Sequence, residues 1–132
     1  MLDSPAEHKP ITLVIVEDNT GFQNALIGHL DNTTNLSLLG VAHSGSEALQ
    51  LPVSLDPDIV LLDLHLPDQF GLQLIQPLLR HWPRAKVIVL SVDDDPRLRQ
   101  LAQTAGATDF VSKMDAAEQL VPTLERWARR LS

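Results

Sequence analysis

Five short apolar runs, separated by segments long enough for helices, constrain what this chain can fold into. The first, third and fourth runs are nearly continuous and rich in Val, Ile and Leu. Strands buried on both faces of a parallel sheet have this composition. The sequence therefore predicts five strands, at Ile11–Val16, Leu36–Val41, Ile59–Leu62, Val87–Leu90 and Phe110–Val111.

The segments between these runs have the features of helices. Phe22, Leu26 and Leu30 recur four residues apart after Asn19, whose side chain can cap a helix. A fourth helix has aspartates and a proline at its start and a glycine at its end. The later helices are predicted over Gly45–Leu55, Gly71–Arg80, Pro96–Gly106 and Asp115–Leu131.

Three prolines fall inside these predicted helices, at Pro52, Pro77 and Pro122. Proline has no backbone N–H, and its ring clashes with the preceding turn of a helix. We therefore expect each proline to kink or shorten its helix.

A strand followed by a helix, repeated five times, places the chain in the α/β class. This alternation predicts a doubly wound parallel sheet with helices on both faces and right-handed crossovers. Residues 1–10 contain two prolines and no periodicity, so we expect a flexible N-terminal arm. The remaining residues, 11–132, have the length of one domain.

Composition excludes several classes of protein. The chain has no cysteine, which rules out disulfide frameworks, cysteine-based zinc sites and iron–sulfur clusters. A formal net charge of −7 argues against nucleic-acid binding by the domain itself. No apolar run approaches the roughly 20 residues that cross a bilayer, and the N-terminus is not a signal peptide. We expect a cytoplasmic protein that does not contact membranes.

Polar side chains that could carry chemistry follow four of the five runs. Glu17 and Asp18 follow the first, Asp63 the third, Ser91 the fourth, and Lys113 comes shortly after the fifth. Taken singly, each has an ordinary explanation as a helix cap, a turn residue or a surface group. Together they should meet at one edge of the sheet, because ligands bind beyond the carboxyl ends of parallel strands.

Three carboxylates at one edge would repel one another, so we expect a cation among them. Oxygen ligands of this kind favour Mg²⁺ or Ca²⁺. A lysine beside such a cluster suits a phosphoryl group. The sequence therefore predicts a site for a metal ion and a phosphoryl group together.

Four motifs in this order resemble those of response-regulator receiver domains, the CheY-like phosphoacceptor half of bacterial two-component signalling. The resemblance covers residues 11–131. It implies a flavodoxin-like (βα)5 fold with strand order 2-1-3-4-5, and the pattern around Asp63 is similar to the NarL/LuxR branch. The motifs are V-E-D-N at 16–19, L-L-D-L-H-L-P-D-Q-F-G at 61–71, V-L-S at 89–91 and G-A-T-D-F-V-S-K at 106–113.

The resemblance implies that Asp63 accepts a phosphoryl group from a sensor histidine kinase or phosphotransfer protein, with Mg²⁺ as cofactor. It also implies that Ser91 and Lys113 bind phosphoryl oxygens. Phe110 stands at the family's switch aromatic, on a face of helix 4, strand 5 and helix 5 where a homodimer partner or downstream effector would bind. The implied metal ligands are Glu17, Asp18, Asp63 and the backbone carbonyl of His65.

One residue of the first helix is a candidate kinase contact. With Phe22, Leu26 and Leu30 facing the core, Ile27 is expected near the outer face, beside Gln23. An exposed isoleucine among small and polar residues would suit docking of a kinase.

Other functions remain as alternatives. The chain could be the N-terminal regulatory part of a DNA-binding transcriptional regulator. A phosphatase of the haloacid dehalogenase type would need D-x-D, but the residue two after Asp63 is His65. A flavin or nucleotide module would need a glycine-rich loop after the first strand, where Glu17 and Asp18 would repel phosphate. We expect no enzymatic activity beyond the domain's own phosphorylation and dephosphorylation.

Overall fold

A computed structural model describes residues 10–32 and 35–129. Its five strands form one parallel sheet in the order β2-β1-β3-β4-β5, which confirms the predicted class and topology. All but the last residue of the predicted N-terminal arm lies outside the described ranges. The strands are β1 (Ile11–Val16), β2 (Leu36–Ala42), β3 (Ile59–Asp63), β4 (Lys86–Ser91) and β5 (Asp109–Ser112).

Five α-helices connect and cover the strands. Asn19 caps the first, because its side chain accepts a hydrogen bond from the Phe22 amide at 2.7 Å. Asp95 caps the fourth in the same way, and Gly106 ends it with a φ of 115°. The helices are α1 (Thr20–Asp31), α2 (Gly45–Gln50), α3 (Leu72–His81), α4 (Pro96–Ala105) and α5 (Ala116–Arg129).

The three prolines act differently from one another. Helix α2 ends at Gln50, and Pro52 begins a turn of 3₁₀ helix at Val53–Leu55, as expected. Helices α3 and α5 continue past Pro77 and Pro122, so of the two expected effects, a kink or a shorter helix, the shortening does not occur. The fully buried face of α3 explains its continuity, because packing outweighs one lost hydrogen bond.

Two apolar cores lie on opposite faces of the sheet. Successive strand residues point to opposite faces, so Val60 and Leu62 join the core under α2, α3 and α4. Ile59 and Leu61 join the core under α1 and α5. All four side chains are fully buried, which explains why β3 has no polar residue before Asp63.

Helix α1 buries a wider face than its four-residue spacing predicted. Gln23 is buried, and its side-chain amide donates to the Glu17 carbonyl at 3.0 Å. Ile27 is half-buried and packs against the core of α1 and α5, so it lies at the margin of the outer face and only part of its side chain is exposed. The apolar stripe of a helix packed on a sheet spans more than one row of side chains, which accounts for the difference.

Candidate functional site

Strand register brings the predicted site residues to one edge of the sheet. Val16 lies beside Leu62, so Glu17 and Asp63 follow on neighbouring strands. Ser91 ends β4, beside the last residue of β5, and Lys113 follows directly. The sheet therefore gathers the residues that sequence placed after the strands.

Lys113 lies between two buried carboxylates. Its ammonium nitrogen is 2.7 Å from Glu17 Oε1 and 3.4 Å from Asp63 Oδ2. The side chains of Glu17, Asp63 and Lys113 are only 1%, 4% and 12% exposed. Little water screens these charges, so they interact more strongly than surface ion pairs do.

Burial raises the pKa of Glu17 above its ordinary value, because the charged carboxylate loses water. The contact with Lys113 and a 2.9 Å hydrogen bond from the Asn19 amide lower that pKa, and the nearby charge of Asp63 raises it. Glu17 Oε1 is buried, and its close partner is the Lys113 ammonium. A carboxylate oxygen has two lone pairs, so Oε1 can accept from this ammonium and still face a second cation.

A tight loop fixes the backbone around Asp63. The His65 amide donates to Asp63 Oδ1 at 3.1 Å, and the Gly71 amide donates to the Leu64 carbonyl at 2.7 Å. A Cβ on Gly71 would lie 2.7 Å from both the Asp63 carbonyl oxygen and Leu64 Cα. Only glycine permits this approach, which places the start of α3 directly against the Asp63 backbone.

Asp68 ties the same loop to helix α2, a contact that sequence analysis missed. Its two carboxylate oxygens accept the backbone amides of Gly45 and Ser46 at 3.0 and 2.9 Å. These hydrogen bonds lower the pKa of Asp68 below its ordinary value. In the sequence, Asp68 indicates only a turn, because its partners lie 22 and 23 residues away.

The loop between β4 and α4 connects Ser91 with the Asp63 loop. The Asp93 amide donates to Ser91 Oγ at 3.1 Å, and Asp93 Oδ2 lies 3.1 Å from His65 Nε2. Ser91 itself is fully buried. Its oxygen accepts this amide, which leaves the hydroxyl hydrogen available for another acceptor.

Phe110 is buried, and Arg99 of α4 holds it there. The guanidinium carbon lies 4.6 Å from the ring centroid, and Nη1 donates to the Phe110 carbonyl at 3.3 Å. Arg99 Nε also pairs with Asp94 at 2.6 Å. Sequence analysis missed Arg99, since nothing in the helical pattern distinguishes it from a surface arginine.

The structure corrects one expectation about the carboxylates. Asp18 is exposed, and among the described residues no three His, Asp or Glu side chains form a ready group for a metal. The cation between Glu17 and Asp63 is the ammonium of Lys113. The available donors of Glu17, Asp18 and Asp63 are nevertheless all carboxylate oxygens, which suit Mg²⁺. These residues fit a magnesium ion in chemical type.

Comparison with known proteins identifies the family. The sequence model of one protein family, the response regulator receiver domain, matches residues 13–125 of the chain. The chain belongs to the receiver-domain family. Receiver domains generally bind Mg²⁺ at the phosphorylation site, are generally non-enzymatic, and either interact with kinases and effectors or dimerise.

Relatives confirm the similarity to the NarL/LuxR branch. The receiver is 32% identical over 117 residues to response regulator GacA of Pseudomonas aeruginosa, covering 88% of this chain and 54% of GacA. It is 25% identical over 123 residues to the nitrate/nitrite response regulator protein NarL of Escherichia coli K12, covering 93% of this chain and 57% of NarL. The chain thus spans about half the length of these relatives.

A solved structure is similar in both fold and sequence. A response regulator protein from Burkholderia pseudomallei, with a phosphorylated aspartic acid, calcium ion and citrate, superposes with a TM-score of 0.76 and 27% identity. The match covers 90% of this receiver and 72% of that chain. Within residues 10–32 and 35–129, no helix is both long and apolar enough to cross a membrane.

Proposed function

We propose that this receiver accepts a phosphoryl group on Asp63 from a sensor histidine kinase or phosphotransfer protein. The observation that carries the proposal is the largely buried side chain of Lys113, whose ammonium is held between Glu17 and Asp63 at the carboxyl edge of the sheet. An ammonium fixed beside a carboxylate in a nearly dry site can neutralise charge on an incoming phosphoryl group. The phosphorylated aspartic acid of the Burkholderia relative supports the assignment.

The reaction is a displacement at phosphorus. An oxygen of Asp63 forms the new P–O bond while the P–N bond of the donor's phosphohistidine breaks, and the leaving imidazole retains the electron pair. Such transfer depends on alignment and charge neutralisation more than on a base. Lys113 supplies one positive charge, and the His65 amide fixes the orientation of the Asp63 carboxylate.

Magnesium would be held by oxygen atoms and would add further neutralisation of phosphoryl charge. The residues proposed to hold it are Glu17, Asp18, Asp63 and the backbone carbonyl of His65. The calcium ion in the Burkholderia relative supports a divalent cation.

The switch would work through Ser91 and Phe110. The free hydroxyl hydrogen of Ser91 would bond a phosphoryl oxygen, which would move the β4–α4 loop. Phe110 is already buried, so the expected change lies in the contacts of Arg99 with the ring and with Asp94. A homodimer partner or effector would then recognise the face of α4, β5 and α5.

A direct test is labelling with phosphohistidine and with acetyl phosphate. Asp63→Asn should take no label from either donor, and chelation of Mg²⁺ should stop labelling of the native receiver. Asp94→Asn is the matched control, because Asp94 is an exposed aspartate near the site. Label that persists in Asp63→Asn would contradict the assignment.

Kinase docking beside α1 has a separate test. Ile27→Asp should slow transfer from a kinase but leave labelling by acetyl phosphate intact. Asn24→Asp adds the same charge at an exposed position of α1 and serves as control. Because Ile27 is half-buried, equal loss with both donors would show that it acts only in packing.

A second candidate concerns the output. The match to about half the length of the response regulators GacA and NarL favours a role as one part of a longer response regulator. We propose that the other part would be a DNA-binding transcriptional output. The length of the native reading frame tests this: a DNA-binding segment after residue 132 would support it, and a stop codon there would contradict it.

A further inference from the structure

The Lys113 ammonium has a third neighbour besides the two carboxylates. Its nitrogen lies 4.3 Å from the centroid of the Phe22 ring. A cation within about 6 Å of an aromatic centroid is attracted to the negative face of the ring. The ring thus contributes to holding a charge that the proposed chemistry requires.

A series of contacts that begins and ends at Glu17 fixes the Phe22 ring in this position. Glu17 Oε2 accepts the Asn19 amide at 2.9 Å, and Asn19 Oδ1 accepts the Phe22 amide at 2.7 Å. Lys113 then joins the Phe22 ring to Glu17 Oε1. The start of α1 therefore sets the ring and the carboxylate on the same ammonium.

The ammonium lies closer to Glu17 than to Asp63, by 2.7 against 3.4 Å. Without the ring, water could occupy the space beside the ammonium, and the flexible side chain of Lys113 could adopt other rotamers. With the ring in place, the side chain of Lys113 is only 12% exposed. An ammonium that is already ordered needs no reorganisation when a phosphoryl group arrives.

We propose that Phe22 is a positioning residue, which holds Lys113 through the face of its ring so that the ammonium is ready for phosphoryl transfer to Asp63. This inference rests on the proposed function of the site. It differs from that function because Phe22, which also packs against the core under α1 and α5, acts through Lys113 and not on the reacting atoms.

Fluorinated phenylalanines at position 22 test the proposal. Successive fluorines weaken the negative face of the ring while changing its shape little. The measurement is the initial rate of Asp63 labelling by acetyl phosphate at saturating Mg²⁺, a small donor that needs no docking surface. We expect the logarithm of the rate to decrease linearly as the calculated strength of cation binding to each ring decreases. The rate itself should be about tenfold lower for the most fluorinated ring than for phenylalanine.

The control is fluorination of Trp127, whose ring lies 5.6 Å from Lys86 Nζ in a second cation–π pair. This change should leave the labelling rate unaltered. Phe22→Leu keeps apolar packing but removes the ring face, so it should resemble the most fluorinated variant. Urea unfolding should show that each variant is fully folded under the labelling conditions, so that the rates report on the folded receiver.

The outcomes separate this inference from the proposed function. If the native receiver takes no label on Asp63, the proposed function fails. If the native receiver is labelled but the rate is the same for every ring at position 22, Phe22 acts only in packing and the inference fails. A fall in rate that is fully accounted for by the unfolded fraction of each variant would also overturn it.

Discussion

Replacing Gly71 by alanine should destabilise the receiver, although glycine is not needed there for its backbone angles. Gly71 has φ −59° and ψ −25°, which any residue adopts. The obstacle is space, because a Cβ would lie 2.7 Å from the Asp63 carbonyl oxygen and from Leu64 Cα. Ordinary contacts of a Cβ begin near 3.4 Å, so buried backbone must move by several tenths of an ångström.

The expected magnitude combines two opposing effects. Overpacking a filled site costs about 1–3 kcal/mol, and the upper end applies because the obstacle is backbone rather than a flexible side chain. Alanine at a helix-compatible position recovers about 0.4–1 kcal/mol by restricting the unfolded chain. The free energy of unfolding of Gly71→Ala should therefore fall by about 2 kcal/mol.

Gly28→Ala is the matched control. Gly28 lies within α1, and no atom would come within 4 Å of its added Cβ. This substitution should raise the free energy of unfolding by about 0.5–1 kcal/mol. Urea unfolding, followed by the fluorescence of the buried Trp82, measures both variants. A Gly71→Ala variant within about 0.5 kcal/mol of the native receiver would refute the reasoning.

Two further predictions concern contacts that the sequence did not indicate. The amides of Gly45 and Ser46 lower the pKa of Asp68 in the folded receiver. The charged carboxylate therefore stabilises the fold fully at pH values above 3.8, the ordinary pKa of the group. This contribution is lost as the pH falls through the lowered pKa. Asp68→Ala should therefore destabilise the receiver more at pH 7 than at pH 3, as urea unfolding at the two pH values would show. An equal loss at both would contradict the role of charge. Arg99→Met keeps the apolar stem but removes the guanidinium over Phe110, so NMR should show faster flipping of that ring in the unphosphorylated receiver; unchanged ring motion would mean that Arg99 does not hold it.

Much of the fold follows from local pattern. Buried β3 could be predicted because its residues are apolar on both faces, and α4 could be bounded because aspartates, a proline and a glycine mark its ends. Once five parallel strands are accepted, residues directly after them must share one edge. Glu17, Asp63, Ser91 and Lys113 were found in this way.

Contacts between distant segments required the tertiary structure. The sequence indicates that Lys113 lies near acidic residues, but only the strand register and side-chain rotamers decide that it pairs with Glu17 more closely than with Asp63, while Asp18 stays exposed. The same holds for the stacking of Phe22 on Lys113 across 91 positions of the chain.

The sequence by itself determined the α/β class, the order of elements and the edge that carries the site, because hydrophobic periodicity and caps act over a few residues. Only the tertiary structure decided how wide a face α1 buries, why Gly71 must lack a side chain, and which groups hold Asp68 and Phe110. These features depend on the packing of elements that are far apart in the chain. There, small differences in interatomic distance decide which groups are in contact.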